Sequence, residues 1–224
     1  SVTKQFLCAG VVALAEEGRL DLDDPLVAHL PEMHPVPGAA TLRQAMANTS
    51  GIRDHLELWY LSGGGLQVPH RLPDSLALAM RQSETNFPPG ERHLYSNANF
   101  LLLSEVLRRV SGEPPESFLE RRFFQPLGMT RTRLRAGHHD VIEDLATGYL
   151  ATADGGLVRG RMTMEIWGEG SAHSCLEDLV IWMRYLRDDP EGLIARMRAP
   201  QRFLNGSESF YGLGLFLDPW RGAA

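Results

Sequence analysis

Hydrophobic positions follow one another almost without interruption at the start of the chain. From Val2 to Glu17 the side chains are apolar on nearly every side, and Gly18 follows as a helix-ending signal. This pattern predicts a buried helix of about four turns. Ser1 would be its N-cap, and Lys4 would lie one turn further along on the same face.

The region from about 36 to 130 has helical periodicity, interrupted by glycines, prolines and capping residues. A short connector with one helical turn, Leu20 to Pro31, precedes it. This middle region is predicted to be all-helical. The predicted helices run from a Thr41 N-cap to Ala47, from an Asp74 N-cap over Ser75 to Gln82, from Ala98 to Val110 before Gly112, and from Glu116 to Phe124.

Helical periodicity fades between Thr130 and Trp167, where alternating side chains and glycines predict strands and turns. Ser174-Cys175-Leu176-Glu177 is a capping-box pattern that opens a predicted helix to about Arg187. One more helix is expected over Glu191 to Arg198, and a glycine-containing strand over Phe210 to Leu217. There is no internal repeat and no linker that would separate independent domains.

The charge balance argues against two classes of partner. The chain has 28 acidic and 22 basic residues, a net charge of −6, whereas nucleic-acid proteins usually show the reverse balance. No run approaches the ~18 apolar residues that span a bilayer. We therefore expect neither a nucleic-acid partner nor a membrane partner.

Cysteine and lysine usage narrow the chemistry. Cys8 and Cys175 are too few for a disulfide framework, and neither has the CxxC or CxH spacing of a metal site. Of the 22 basic residues, 21 are arginines and one, Lys4, is a lysine. Arginine does not act as a base at neutral pH, whereas a desolvated lysine does.

Ser1 and Lys4 are separated by one helical turn. A serine hydroxyl is a weak nucleophile that needs a base within hydrogen-bond reach. Lys4 lies in an otherwise apolar helix, where burial disfavours its charged form and lowers its pKa. The helix N-terminus would also stabilise an oxyanion near Ser1. The pair predicts a nucleophile and its general base.

Tyr95-Ser96-Asn97 forms a second candidate group, between a Pro-Gly turn and an apolar helix. A tyrosine in this place would present its phenol to a cleft, and beside a cation it could act as a phenolate that passes a proton to a leaving group. Asn97 can both donate and accept hydrogen bonds, so it could hold a substrate carbonyl or orient Lys4. The alternative for this group is a helix cap with a packed tyrosine.

Together these residues resemble the penicillin-recognising serine hydrolases, which include class C β-lactamases, D,D-peptidases, esterases and D-aminopeptidases. Ser1-Val2-Thr3-Lys4 is similar to the nucleophile motif of that superfamily, and Tyr95-Ser96-Asn97 to its tyrosine motif. The matches are ordered and cover nearly the whole chain. The further matching segments are Leu20 to Pro25, Asn48 to Ile52, Phe87 to Gly90 and Pro126 to Met129.

Within the superfamily the chain looks most like bacterial D-aminopeptidases. The segments that carry this likeness are Ser1 to Phe6, Arg53-Asp54, Ala146 to Tyr149, Asp188 to Leu193 and Asn205 to Leu215.

The third motif of the superfamily, a Lys or His two residues before a Gly, is missing from these 224 residues. We expect the chain to be a middle segment of a longer protein, without the N-terminal and C-terminal strands of the sheet. The resemblance implies a β-lactamase/D,D-peptidase-like fold that joins an α/β region to an all-α region. Residues 1–35 would carry the nucleophile helix and connector, 36–135 the mostly helical region, and 136–224 the return to the α/β region.

The resemblance implies two-step acyl transfer without a metal or cofactor. Lys4 would take the proton of Ser1, Tyr95 would protonate the leaving amine, and water would hydrolyse the acyl-enzyme. One oxyanion contact would be the Ser1 N–H, and the other would come from a C-terminal strand. Asn97 would bind substrate, and His173 or Glu169 would do so because Trp167 to Ser174 resembles a segment near the active site.

The expected substrates are small D-amino-acid peptides, amides or esters, and the expected partners are the rest of the polypeptide and, in a homodimer, a second copy. Three alternatives stay open at this stage. One is a β-lactamase-like esterase. Another is an enzyme that uses the α-amine of Ser1 as its base, which would tolerate loss of Lys4. The third is a binding or sensor protein that is acylated and never turns over.

Overall fold

A computed structural model describes residues 1–65, 68–135, 137, 139–160 and 163–218. Helix α1, Thr3–Glu16, is the centre of the fold and packs against the later helices α7, Asn97–Ser111, and α11, Leu193–Arg198. Its residues from Phe6 to Leu14 are all buried. The predicted all-round apolar helix is therefore confirmed.

The predicted N-cap of α1 is wrong. Val2 occupies that position in a helical conformation, and no side chain caps the first turn. The hydroxyl of Ser1 instead accepts hydrogen bonds from Lys4 and Tyr95. A side chain engaged in tertiary contacts is not available for the local backbone amides.

Helices also make up the described part of the middle region, as predicted. A π-helical turn at Glu120–Phe124 continues the predicted helix that begins near Glu116. In addition to those already given, the helices are α2 Leu26–His29, α3 Pro35–Gly38, α4 Leu42–Met46, α5 His55–Leu61, α6 Leu72–Met80, α8 Pro115–Leu119, α9 Gln125–Leu127 and α10 Leu176–Asp188.

Three of the predicted helix boundaries show what local sequence can fix. Thr41 and Gln44 form both hydrogen bonds of a capping box, and Gly112 ends α7 in the left-handed conformation. Asp74 is not the predicted cap, because α6 begins two residues earlier, at Leu72. The amide of Leu72 donates to the distant carboxylate of Glu165, which replaces a local cap.

The strand-and-turn region is confirmed as two small antiparallel sheets. Strand β1, Arg133–Leu134, pairs with β4, Ala172–His173, whereas β2, Tyr149–Ala151, and β3, Leu157–Arg159, form an exposed hairpin. The strand predicted over Phe210 to Leu217 is wrong. That segment turns back on itself, with one bridge between Tyr211 and Phe216.

The helix predicted after Ser174 is confirmed, but its capping box is wrong. Cys175 is the N-cap and makes no side-chain capping bond. The Ser174 hydroxyl lies 2.7 Å from that of Thr132, which also donates to Asp178. The tertiary bond between the segment of β1 and α10 thus replaces the local one.

Large aromatic side chains join α1 to the π-helical turn and to α10. The ring of Phe6 contacts those of Phe124 and Trp182 edge-on, at centroid distances of 5.2 and 4.7 Å. Within the described ranges, no helix is both long enough and apolar enough to cross a membrane. Cys8 and Cys175 are both free thiols.

Candidate active site

Ser1, Lys4 and Tyr95 meet at the N-terminal end of α1. The Lys4 ammonium donates to Ser1 Oγ at 3.3 Å, and the Tyr95 hydroxyl donates to the same oxygen at 2.7 Å. Tyr95 comes from the segment just before α7, so the close packing of α1 on α7 brings the three side chains together. The predicted base, Lys4, and the predicted proton donor, Tyr95, thus both contact the hydroxyl oxygen of Ser1, the predicted nucleophile.

Lys4 is held deep in the protein by two further acceptors. Its Nζ donates to Asn97 Oδ1 at 2.9 Å and to the backbone carbonyl of Glu169 at 2.6 Å. The residue is 1% exposed, and its Nζ lies 4.8 Å from the ring centroid of Tyr95. The sequence prediction that Asn97 could orient Lys4 agrees with this contact.

The electrostatics favour a lysine that can become neutral. Burial lowers the pKa of Lys4 to about 8, although the negative charges of Glu169 and Asp54 oppose this shift. Burial raises the pKa of Tyr95, so its phenol is protonated at neutral pH. The phenolate alternative is therefore not favoured in this state, and Tyr95 is better suited to donate a proton than to accept one.

Asp54, which was not among the predicted site residues, fixes the orientation of Asn97. Its Oδ2 accepts from the backbone amide of Asn97 at 2.6 Å and from Nδ2 at 2.8 Å. Its Oδ1 accepts from the amide of Leu56 at 2.7 Å and so caps α5. Because Asp54 occupies the amide nitrogen of Asn97, the amide oxygen faces Lys4. The Arg53-Asp54 match was the one signal that pointed to this position.

Glu169 enters the site through its backbone. Its side chain is buried, so direct contact with substrate stays a prediction that this burial does not support. His173, on β4, is half-buried, and its Nδ1 lies 3.0 Å from the carbonyl of Ser171. The adjacent Ala172 amide donates to Thr3 Oγ1, which places β4 beside the start of α1. Substrate contact by His173 also stays a prediction.

No group of three or more potential metal ligands lies close together within the residues that the structure describes. The whole sequence, residues 1–224, matches the model of the Beta-lactamase family. The chain belongs to that family. The predicted superfamily and fold are confirmed, and this is a family of hydrolytic enzymes.

Two solved structures and one curated relative show how far the similarity extends. A D-aminopeptidase from Brucella anthropi is 34% identical over 97% of this chain and 41% of its own length. The octameric penicillin-binding protein homologue from Pyrococcus abyssi is 26% identical, with a TM-score of 0.83, and covers 99% of this chain and 53% of its own. A D-stereospecific amidohydrolase from Streptomyces is 26% identical, with a TM-score of 0.76, over 96% of this chain and 68% of its own.

The predicted likeness to D-aminopeptidases is confirmed by the first of these relatives. The chain spans about two fifths of the length of that D-aminopeptidase. What the complete protein hydrolyses is therefore a matter for proposal.

Proposed function

We propose that the protein is a serine hydrolase that releases N-terminal D-amino acids from small peptides and amides through an acyl-enzyme on Ser1. The observation that carries the proposal is the convergence of Lys4 Nζ and the Tyr95 hydroxyl on Ser1 Oγ. Nucleophilic catalysis by serine needs a base on the hydroxyl and a donor for the leaving group. This arrangement supplies both.

The first step transfers the acyl group to Ser1. Neutral Lys4 takes the hydroxyl proton as Oγ bonds to the substrate carbonyl carbon, and the positive end of α1 stabilises the resulting oxyanion. The bond from that carbon to nitrogen then breaks, and the leaving amine takes a proton from Tyr95. A proton then passes from the Lys4 ammonium to the Tyr95 oxygen, so that both groups return to their starting states.

The second step releases the acid. A water molecule attacks the ester carbon, gives one proton to Lys4, and displaces Ser1 Oγ, which is protonated again. Each cycle therefore consumes one water and leaves the protein unchanged. Preference for a D-amino acid is supported by the names of the D-aminopeptidase and the D-stereospecific amidohydrolase.

The test is the initial rate of release of p-nitroaniline from D-alanine and L-alanine p-nitroanilides by the full-length polypeptide. We expect cleavage of the D substrate, little cleavage of the L substrate, and none by Ser1→Ala. Cleavage of esters but not amides would favour the esterase. A stoichiometric burst without turnover would instead indicate the acylated sensor.

A further inference from the structure

A buried carboxyl and a buried imidazole lie beside Lys4 and have no part in the proposed steps. Glu169 is 3% exposed and His55 is 0% exposed, and their Oε1 and Nε2 atoms are 3.9 Å apart. Within the described part of the chain, that Oε1 and both ring nitrogens of His55 make no hydrogen bond. Buried polar atoms with so few partners are costly, so their presence here calls for an explanation.

The turn that carries Glu169 is fixed against the nucleophile helix. A Cβ at Gly168 would lie 2.4 Å from both Leu7 Cδ2 and Ser104 Oγ, so any other residue would push these two buried side chains of α1 and α7 aside. The Gly168 amide donates to the Ser104 hydroxyl at 3.0 Å. The carbonyl of Glu169 then reaches Lys4 Nζ, and its carboxyl accepts from the Trp167 amide at 3.0 Å. Glu169 therefore cannot move away from Lys4 without breaking this packing.

The charged and titratable groups that act on this pair come from α1, from the start of α5 and from His70. Lys4 interacts electrostatically with Glu169, Asp54 and Cys8, and Glu169 with Lys4 and Asp54. His55 interacts with Asp54, Lys4 and His70. Among the carboxylates, Asp54 has hydrogen bonds on both oxygens, whereas Glu169 has one oxygen without a partner.

We propose that the buried Glu169 carboxyl, packed against His55, is a positioning residue that controls how readily the Lys4 ammonium releases its proton. When Glu169 is ionised, its negative charge favours the ammonium, and when it is neutral that restraint is absent. This proposal rests on the proposed role of Lys4 as the base.

The directions in which the pKa values of these groups are shifted agree with this geometry. Burial raises the pKa of Glu169 to about 7 and lowers that of Lys4 to about 8, so the two groups titrate close together. Burial lowers the pKa of His55 to about 4, so its imidazole is neutral in this range and does not neutralise Glu169. The charge that acts on Lys4 near neutral pH is thus that of Glu169 together with Asp54.

The experiment compares Glu169→Gln with Glu177→Gln in the full-length polypeptide. Both variants remove one negative charge, but Glu177 is exposed on the first turn of α10. The first readout is the NMR titration of the side-chain carbon beside Nζ in protein labelled with ¹³C lysine. Lys4→Arg identifies its signal. The second readout is the pH profile of kcat/KM for D-alanine p-nitroanilide.

In Glu169→Gln we expect both midpoints to move to lower pH by about half a pH unit or more, with kcat/KM at pH 7 rising about threefold. Glu177→Gln should leave both unchanged. A Lys4 midpoint that is unchanged or higher in Glu169→Gln would overturn the inference. If the wild type cleaves no amide, the proposed function fails while the NMR titration still decides this point.

A wild-type measurement covers the case in which Glu169→Gln does not fold. The Lys4 signal should then titrate over a wider pH range than one isolated group does, because the charge of Glu169 changes over the same range. A curve that fits one isolated group would overturn the inference.

Discussion

Two carboxyl groups act on Lys4, those of Asp54 and Glu169, and they differ in how many hydrogen bonds they accept. On one side, Asp54 accepts hydrogen bonds from Leu56 and twice from Asn97, which in turn accepts from Lys4. On the other side, Glu169 has an oxygen that makes no hydrogen bond within the described residues. A fully bonded carboxylate holds its charge and fixes geometry, whereas an under-bonded buried one can gain or lose a proton. We infer that Asp54 fixes the position of Lys4 through Asn97, whereas Glu169 controls the pH at which Lys4 loses its charge.

The largest effect on activity should come from replacing Lys4, the residue on which both carboxyl groups act. Lys4→Arg keeps a positive charge but cannot act as a base, so kcat/KM should fall by at least about a hundredfold. The measurement is the rate of D-alanine p-nitroanilide cleavage, with thermal unfolding to check that the fold survives. Nearly unchanged kcat/KM would favour the mechanism in which the α-amine of Ser1 is the base.

Asp54→Asn tests the carboxyl group whose two oxygens both accept hydrogen bonds. Asparagine can still cap α5 through its oxygen, but its amide nitrogen would face the two N–H donors of Asn97. The Asn97 amide should therefore turn away from Lys4, and kcat should fall by about ten- to a hundredfold with little change in stability.

Asp74→Asn, in the first turn of α6, is the matched control and should keep normal kcat. If Asp54→Asn leaves kcat unaltered, Asp54 does not act on Lys4 through Asn97.

The dependence of stability on pH tests Glu169, whose carboxyl group has one oxygen without a hydrogen bond in the described residues. Burial raises the pKa of Glu169 from 4.5 to about 7, so between these values the folded protein binds a proton that the unfolded chain has released. This group's contribution to the free energy of unfolding should therefore be lost as pH rises from 4.5 to 7. In Glu169→Gln, the melting temperature should decline less over this range than in the wild type. Parallel curves for the two proteins would contradict the raised pKa.

The smallest effect is expected at Ser96, in the middle of the tyrosine motif. Its hydroxyl is buried but makes no hydrogen bond within the described part of the chain, whereas its backbone amide donates to Asn48 Oδ1. Ser96→Ala keeps that amide, so kcat/KM should stay within about twofold of the wild type. A loss above tenfold would show that the hydroxyl belongs to the site.

The sequence selected the residues that meet around Ser1 Oγ, but it did not reveal the contacts that support them. Ser1 and Lys4 are one turn apart, and Tyr95 and Asn97 are two positions apart, so local spacing and family motifs find them. Asp54 and Glu169 act across 43 and 165 positions, and no local pattern records such contacts. Glu169 was predicted only as a substrate contact, and its contact with Lys4, like that of Asp54 with Asn97, follows from the packing of α1 against α7 and from the turn at Gly168.

Predictions of the fold also succeeded where local sequence decides the structure and failed where distant contacts decide it. The all-round apolar pattern of α1 and the capping box at Thr41 act within a few residues, and both predictions were confirmed. At Ser174 the same capping pattern failed, because the Thr132 hydroxyl is a competing partner from a distant segment. The predicted strand over Phe210 to Leu217 failed because Gly214, in the left-handed conformation, turns the chain back against α1.

The central claim is that Ser1 carries the acyl group and Lys4 activates it. The most direct measurement is the mass of the full-length polypeptide after rapid quenching with a D-alanine ester, followed by mapping of the modified peptide. The account predicts one D-alanyl group on the peptide that contains Ser1, much slower labelling in Lys4→Arg, and none in Ser1→Ala. A D-alanyl group on another residue, or turnover that persists in Ser1→Ala, would contradict it.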